Sequence, residues 1–457
     1  MSSKLQSYAG AFIEEENIPA VSIAIWNDGA VETAAAGILN LDTGVAATTD
    51  SIFQIGSITK AMTACLVMQL VEAGRVDLDM PVKSYVRDFL IADTGASKRI
   101  TVRQLLNHTS GIAGDFFPSE EGMDGPLIAR LIDRCAFLPL VHPPGTHFSY
   151  SNIAFSLAGR LAEVVYGTPW AVLMRERVFE PLGMTHAIVD PKEAIRFRAA
   201  MGHVTMNEEF SEWRTADQTY LTLGQAPCGS TPMMRAVDLV TFARAHLDGG
   251  LVQGGERWLS PDTVTAMQAA EVAHPDNGAV AKPHAGLGWG VTDLTDSGTR
   301  LIQHNGATIG NYASLQLIPE RNVAFAVLMN AAKPTALEKI SNELLLRVAG
   351  VERKEPEPVL IELPPKELAA YAGRYESLDA VIKVEVGDAA LTVCVAYKHD
   401  PIPPFKLTLQ PIGDDAFAAY SDVHGRRPNV AFVDRTQRGA SAYVFWAGRL
   451  TPRAPEI

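Results

Sequence analysis

Cysteine is scarce: four residues in a chain of 457, Cys65, Cys135, Cys228 and Cys394, none near another. That scatter excludes a disulfide scaffold and a cysteine-rich metal knuckle. No run approaches the roughly twenty apolar residues that a membrane-spanning helix needs. The opening residues, Met1-Ser2-Ser3-Lys4-Leu5-Gln6-Ser7-Tyr8-Ala9, lack the basic-then-apolar order of a secretory leader. A soluble, cytoplasmic protein with no membrane partner is the expectation. Basic charge is also short, with 39 Lys and Arg against 52 Asp and Glu, a net charge of −13. This balance weighs against nucleic acid or an anionic membrane surface as a partner. It suits amine-bearing ligands, although many soluble proteins are as acidic.

What the chain does have is an apolar body. Hydrophobic residues make up 47% of it and charged residues 20%, enough over 457 residues for two or three domains and a large core. Leu5, Tyr8, Ala9, Phe12 and Ile13 follow a helical period near the start. Apolar runs at 21–26 and 31–37 flank Asn27-Asp28-Gly29 and predict a β-hairpin. A second hairpin is predicted from 312–318 and 323–329 around Pro319-Glu320-Arg321-Asn322. Its return strand is apolar throughout, as expected when both faces are covered. Helices are expected at 336–348, 102–106, 152–165 and 170–179. The simplest assembly is an α/β fold: one antiparallel sheet flanked by terminal helices, plus a mostly helical region.

Composition changes near Gly350. Residues 351–365 are charged and proline-rich and read as a linker between domains at 1–350 and 366–457. Short apolar runs follow at 371–375, 380–386, 390–396, 405–409, 416–420, 429–432 and 441–446, separated by Gly, Asp and Pro. That is the pattern of a small C-terminal β-barrel or sandwich.

The most unusual stretch is Ser57-Ile58-Thr59-Lys60 with the apolar run behind it. From 61 to 71 only Thr63 and Gln69 are polar, and Gly74 is suited to end a helix. A helix apolar on nearly every side belongs in a domain interior. Yet Ser57 and Lys60 lie about one turn apart on one face at its start. A buried ammonium is costly unless paired or neutral, so the lysine needs a purpose. Activating the serine is one. Alone the spacing is weak, since Ser-x-x-Lys arises about once or twice by chance in a chain this long.

Two further stretches add weight. Pro144-Gly145-Thr146-His147-Phe148-Ser149-Tyr150-Ser151-Asn152 is a turn entering a helix, and Gln303-His304-Asn305-Gly306-Ala307 lies just ahead of the buried hairpin. Penicillin-recognising enzymes pair Ser-x-x-Lys with two other such motifs. The chain resembles the serine β-lactamase and penicillin-binding-protein superfamily, in its class C-like branch of D-aminopeptidases, related serine peptidases and β-lactamase-fold esterases. Leu105-Leu106-Asn107-His108-Thr109-Ser110-Gly111, Pro181-Leu182-Gly183-Met184 and Gly286-Leu287-Gly288-Trp289-Gly290 look like signatures of that branch. The resemblance spans residues 5–350. More loosely, the tail is similar to the lipocalin-like barrel of some of its peptidases.

The resemblance implies a role for each residue. Ser57 is the nucleophile, a hydroxyl that needs an adjacent base. Lys60 receives or relays the serine proton, or holds a neighbouring phenolate by charge. Tyr150, a phenol that ionises near ~10 when unperturbed, becomes a usable base beside an ammonium and later the acid for the leaving group. Which of Lys60 and Tyr150 takes the first proton stays open. Asn152 hydrogen-bonds the Lys60 amine and the substrate amide. Backbone N–H groups of Ser57 and Ala307 form an oxyanion hole, and Gly306 lets backbone and substrate come close.

Departures from the family pattern are informative. Where its β-lactamases carry Lys-Thr-Gly, this chain has His304-Asn305-Gly306. A neutral histidine is a poor partner for a substrate carboxylate, and His-x-Gly is commoner in the family's peptidases. Ala154-Phe155 replaces the usual glycine-tyrosine, a change expected to touch packing only. Elsewhere, His108 reads as structural, and His108, His142 and His147 lack metal-ligand spacing. Asp248-Gly249-Gly250 is no phosphate loop, and Pro232-Met233-Met234 reads as cleft lining or core. No metal or cofactor is called for.

The expectation is a serine hydrolase working through an acyl-enzyme on Ser57. The first choice is a peptidase or amidohydrolase on small peptides, D-residue-containing ones included. The alternatives are a carboxylesterase on the same machinery and a ligand-binding or sensor protein that does not turn over. The partner is a small molecule or short peptide, with a homo-oligomer left open. Substrate loops are expected at 115–124 and 207–222.

Overall fold

The two strand-rich ends of the first 350 residues meet in one sheet. From edge to edge it runs Val45–Ala46, Ala30–Asn40, Ala20–Asn27, Val323–Met329, Asn311–Ile318, Thr299–Thr308, Gly290–Leu294, Pro283–Ala285 and Val272–Ala273, antiparallel throughout. Both predicted hairpins are present, and they join by pairing Ile23 with Val327. The computed structural model describes residues 2–27, 29–119, 125–205, 207, 210–279, 281–294, 298–353, 357–398, 403–421, 425–435 and 439–455. Asp28 of the first hairpin turn therefore lies outside the described residues.

Alternation sorts each strand between two cores. In Val323–Met329 every residue is buried. Val323, Phe325, Val327 and Met329 meet Leu5, Phe12, Ile340 and Leu344 of the terminal helices Ser2–Glu16 and Pro334–Ala349. Ala324, Ala326 and Leu328 face the larger core, with the helices Thr59–Glu72 and Ala236–Leu247. Small side chains at Ala20, Ala24, Ala324 and Ala326 let the Ala236–Leu247 helix approach the sheet. That helix, Leu127–Asp133 and Pro261–Met267 were not singled out from sequence. The expected helix at 170–179 is α-helical over Trp170–Met174 and a π-turn over Arg175–Phe179.

After Gly350 the chain builds a second sheet. Its eight strands run in sequence order from Gly373–Glu376 to Arg449–Pro452, each antiparallel to the next. A bridge between Tyr375 and Arg453 brings first and last strands together, so the sheet is a nearly closed barrel. The run at 371–375 becomes strand only at Gly373. Tyr371 instead follows the short helix Pro365–Leu368 and packs inside with Tyr375, Phe417 and Phe432. Arg449–Pro452 has too few apolar residues to register as a strand in the sequence. It carries Arg449, which donates to Asp115 of the first unit. Among the described residues no helix is long and apolar enough to cross a membrane.

The barrel packs on the first unit through Phe148, Ala285, Ala431, Phe445 and Leu450. Polar contacts rim this patch. His147 Nε2 meets Asp434 Oδ2 at 2.7 Å, and Asn429 Nδ2 donates to Asn277 O at 2.9 Å.

Candidate active site

Ser57 lies in a tight 3-10 turn, Gly56–Ile58, with the α-helix starting at Thr59. The sequence placed it in the first turn of the helix itself. The tighter geometry follows from Gly56, whose φ of 52° suits glycine, and from Thr59 Oγ1 donating to Gly56 O at 2.8 Å. A β-carbon at position 56 would meet Ala307 N at 2.6 Å. The turn is thus pressed against the strand Thr299–Thr308. On its outer side that strand is paired only as far as Gln303, opposite Gly290. Residues 304–308 have no strand partner there among the described residues, and Gly56 meets Ala307 and Gly306 meets Ile55 and Ser57 along that stretch.

Lys60 is fully buried, and its position is explained by its partners. Nζ donates to Asn152 Oδ1 at 2.7 Å, to Cys228 O at 2.7 Å and to Ser57 Oγ at 2.9 Å. Three acceptors satisfy all three ammonium protons. A neutral amine fits equally, donating to Asn152 and Cys228 and accepting the Ser57 proton. One geometry serves both charge states.

Tyr150 stands over this pair, its ring centroid 4.7 Å from Lys60 Nζ. On another side the ring stacks on His108 at 4.3 Å, and His304 is 6.4 Å away. His108 Nδ1 accepts from Ser151 N at 3.0 Å, which holds the imidazole beside Tyr150. Burial pushes His108 well below the usual histidine range, and Lys60 adds to that. Burial likewise takes His304 down to about 3, with Lys60 adding, while its bond to Asn305 O opposes the shift. Both rings are neutral near pH 7. Phe155 is buried in the core, with its ring 5.9 Å from Lys60 Nζ. Met233 and Met234 are buried core, paired with Phe53-Gln54 ahead of the Ser57 turn.

The structure brings Ser57, Lys60, Tyr150 and Asn152 together, with His304, Gly306 and Ala307 on the adjoining strand edge. Two charged residues join them that the sequence reading missed. Asn152 Nδ2 donates to Asp115 Oδ1 at 2.7 Å, and Arg449 Nη2 donates to the same oxygen at 3.1 Å. Arg449 Nε contacts Asp115 Oδ2 as well, and its Cζ lies 5.1 Å from the centre of the Tyr150 ring. Asp115 opens a loop already expected to face substrate, of which 120–124 lie outside the described residues. Arg449 had no such signal.

A family model described as Beta-lactamase matches residues 5–350. The chain belongs to the beta-lactamase family. This beta-lactamase-family chain is 36% identical over 367 residues to penicillin-binding protein 4 of Amycolatopsis lactamdurans, covering 79% of this chain and 94% of that one. Among solved structures, SurE matches 99% of this chain and all of its own, with a TM-score of 0.78 and 27% identity. SurE with D-Leu gives a TM-score of 0.76 and 26% identity, covering 99% of each chain.

Proposed function

We propose that this protein is a serine hydrolase that forms an acyl-enzyme on Ser57 and cleaves amide bonds in small peptides, including those with D-residues. The observation that carries this reading is the buried Lys60, held within 2.9 Å of the Ser57 hydroxyl by two further acceptors. Such a lysine activates a hydroxyl at a neutral pH where a free one is inert. Ser57 Oγ attacks the acyl carbonyl while its proton passes to the Lys60–Tyr150 pair. The developing oxyanion is held by the N–H groups of Ser57 and Ala307. Tyr150, with Lys60 Nζ and the Arg449 guanidinium beside its ring, is placed to pass the proton on to the leaving amine. Water repeats the cycle to release the acid.

Neutral His304 in place of lysine favours peptides over bicyclic lactams, whose carboxylate would find no cation at position 304. The likeness to a structure solved with D-Leu favours D-configured substrates. The test is a fluorophosphonate probe on wild type and Ser57→Ala, followed by D- and L-aminoacyl amides, short esters and nitrocefin. Labelling that depends on Ser57, with amide turnover, is expected. An unlabelled wild type sinks the hydrolase reading, and turnover of esters alone makes the protein an esterase.

A further inference from the structure

We propose that Arg449, delivered by the barrel, is a positioning residue for catalysis that sets Asn152 and Lys60 through Asp115. This rests on the hydrolase reading above. The geometry is a continuous chain of side chains: Arg449 to Asp115, Asp115 to Asn152, Asn152 to Lys60, Lys60 to Ser57. Each link has a physical consequence for the next.

The Asn152 amide is two-sided and could face Lys60 with either its oxygen or its NH2 group. Only the oxygen is useful, because an NH2 group would confront the Lys60 ammonium donor to donor. Asp115 can only accept, so it selects the NH2 end and turns Oδ1 towards Lys60 Nζ. That selection needs an ionised Asp115 held in place. Arg449 does both, through a hydrogen bond from Nη2 to Oδ1 and an ion contact of Nε with Oδ2.

Arg449 also balances charge. Among the described residues, the other titratable groups around Lys60 are Tyr150, His108, His304 and the Cys228 thiol. Burial keeps both histidines uncharged and raises the thiol, so none of them neutralises Asp115. Asp379 is a more distant negative neighbour of Arg449. Without the guanidinium, the Asp115 carboxylate would favour the protonated forms of Lys60 and Tyr150.

The backbone fixes where the guanidinium arrives. Ala447 and Gly448, with φ of 49° and 80°, form a two-residue hairpin loop between Ser441–Trp446 and Arg449–Pro452. Tyr150 N donates to Gly448 O at 3.0 Å, and Leu450 N donates to Ser149 Oγ at 3.2 Å. The hairpin tip is thus bonded directly to the Tyr150 segment on both sides of Arg449. The barrel completes the site.

The test uses the full chain as Arg449→Gln, Asp115→Asn and the double variant. The readout is the rate of Ser57 labelling by a fluorophosphonate lacking any carboxylate, from pH 5 to 9. Arg449→Gln is expected to slow labelling roughly 10–100-fold and to move the acid limb to higher pH. Adding Asp115→Asn removes the stranded carboxylate and should move the limb back. If Arg449→Gln labels at the wild-type rate with an unmoved limb, the proposal is overturned. A rise in KM confined to carboxylate-bearing substrates would then make Arg449 a substrate anchor. If Arg449→Gln does not fold, Arg449→Lys carries the test, since it keeps the charge but loses the paired contact with Oδ1 and Oδ2. Slower labelling with an unmoved limb is expected, and a wild-type rate overturns the idea. An unlabelled wild type would instead show that the hydrolase reading itself is at fault.

Discussion

A β-carbon on Gly306 would stand 1.9 Å from the carbonyl oxygen of Ile55, so these two residues meet through bare backbone. The contact holds the Ser57 turn against the strand bearing Ala307. Gly306→Ala must push the turn away from the strand. Loss of about 1–3 kcal/mol of stability is expected from overpacking. Because the N–H groups of Ser57 and Ala307, the proposed oxyanion donors, lie on either side of the contact, kcat/KM should fall by roughly 10²-fold or more. Thermal melting and amide turnover together check this. Full activity in a folded variant would show that the two N–H groups do not act as a pair.

Lys60 is the group most dependent on its partners. Lys60→Met fills the site with an apolar chain but cannot move a proton. Labelling of Ser57 should slow by roughly 10²–10⁴-fold, the usual range for losing a general acid–base group. Stability should fall by about 1–3 kcal/mol, because volume is kept while Asn152 Oδ1 and Cys228 O lose their donor. Retained labelling would move the base role wholly to Tyr150.

His304 should not titrate in the working range, because burial and Lys60 hold it near 3. Its replacement by Gln should leave both limbs of the pH–rate profile between pH 5 and 9 where they are. The rate itself should stay within about tenfold, the worth of one hydrogen bond. A limb that disappears in His304→Gln would make the imidazole a working acid or base.

Two buried histidines, His108 and His246, and two partly buried ones, His274 and His304, predict acid sensitivity. Burial lowers His246 and His304 to about 3, His274 to about 4, and His108 well below its ordinary value. In the unfolded chain each ionises near 6.5. The unfolded state therefore binds more protons below about 6.5, and stability falls as pH drops towards 4. Urea midpoints at pH 7.5, 5.5 and 4.5 should fall in that order. His246→Phe should flatten part of the slope, since His246 is caged by Phe242, Trp258 and Trp289, with Nε2 3.6 Å from Cys65 Sγ.

Legibility tracked how local the determining interaction was. The hairpins, the apolar helix and the barrel strands Ala380–Val386 and Ser441–Trp446 were readable because period-two and near-continuous apolar runs report burial directly. The Ser57 turn was misplaced by one step, into the α-helix, because Gly56 and its contact with Ala307 are not encoded in any periodicity. Asp115 was legible only as part of a loop, and Arg449 not at all.

By itself the sequence determined which residues could do chemistry: a serine and a lysine at helical spacing, a tyrosine and an asparagine flanking a turn, and a glycine on a strand edge. Those depend on residue type and short-range spacing, which a single chain displays openly. Only the tertiary structure decided that a guanidinium 392 residues beyond the serine reaches the same site, since 449 − 57 = 392. Ion pairing depends on distance in space, and that distance is set here by barrel closure and by two backbone bonds at a hairpin tip.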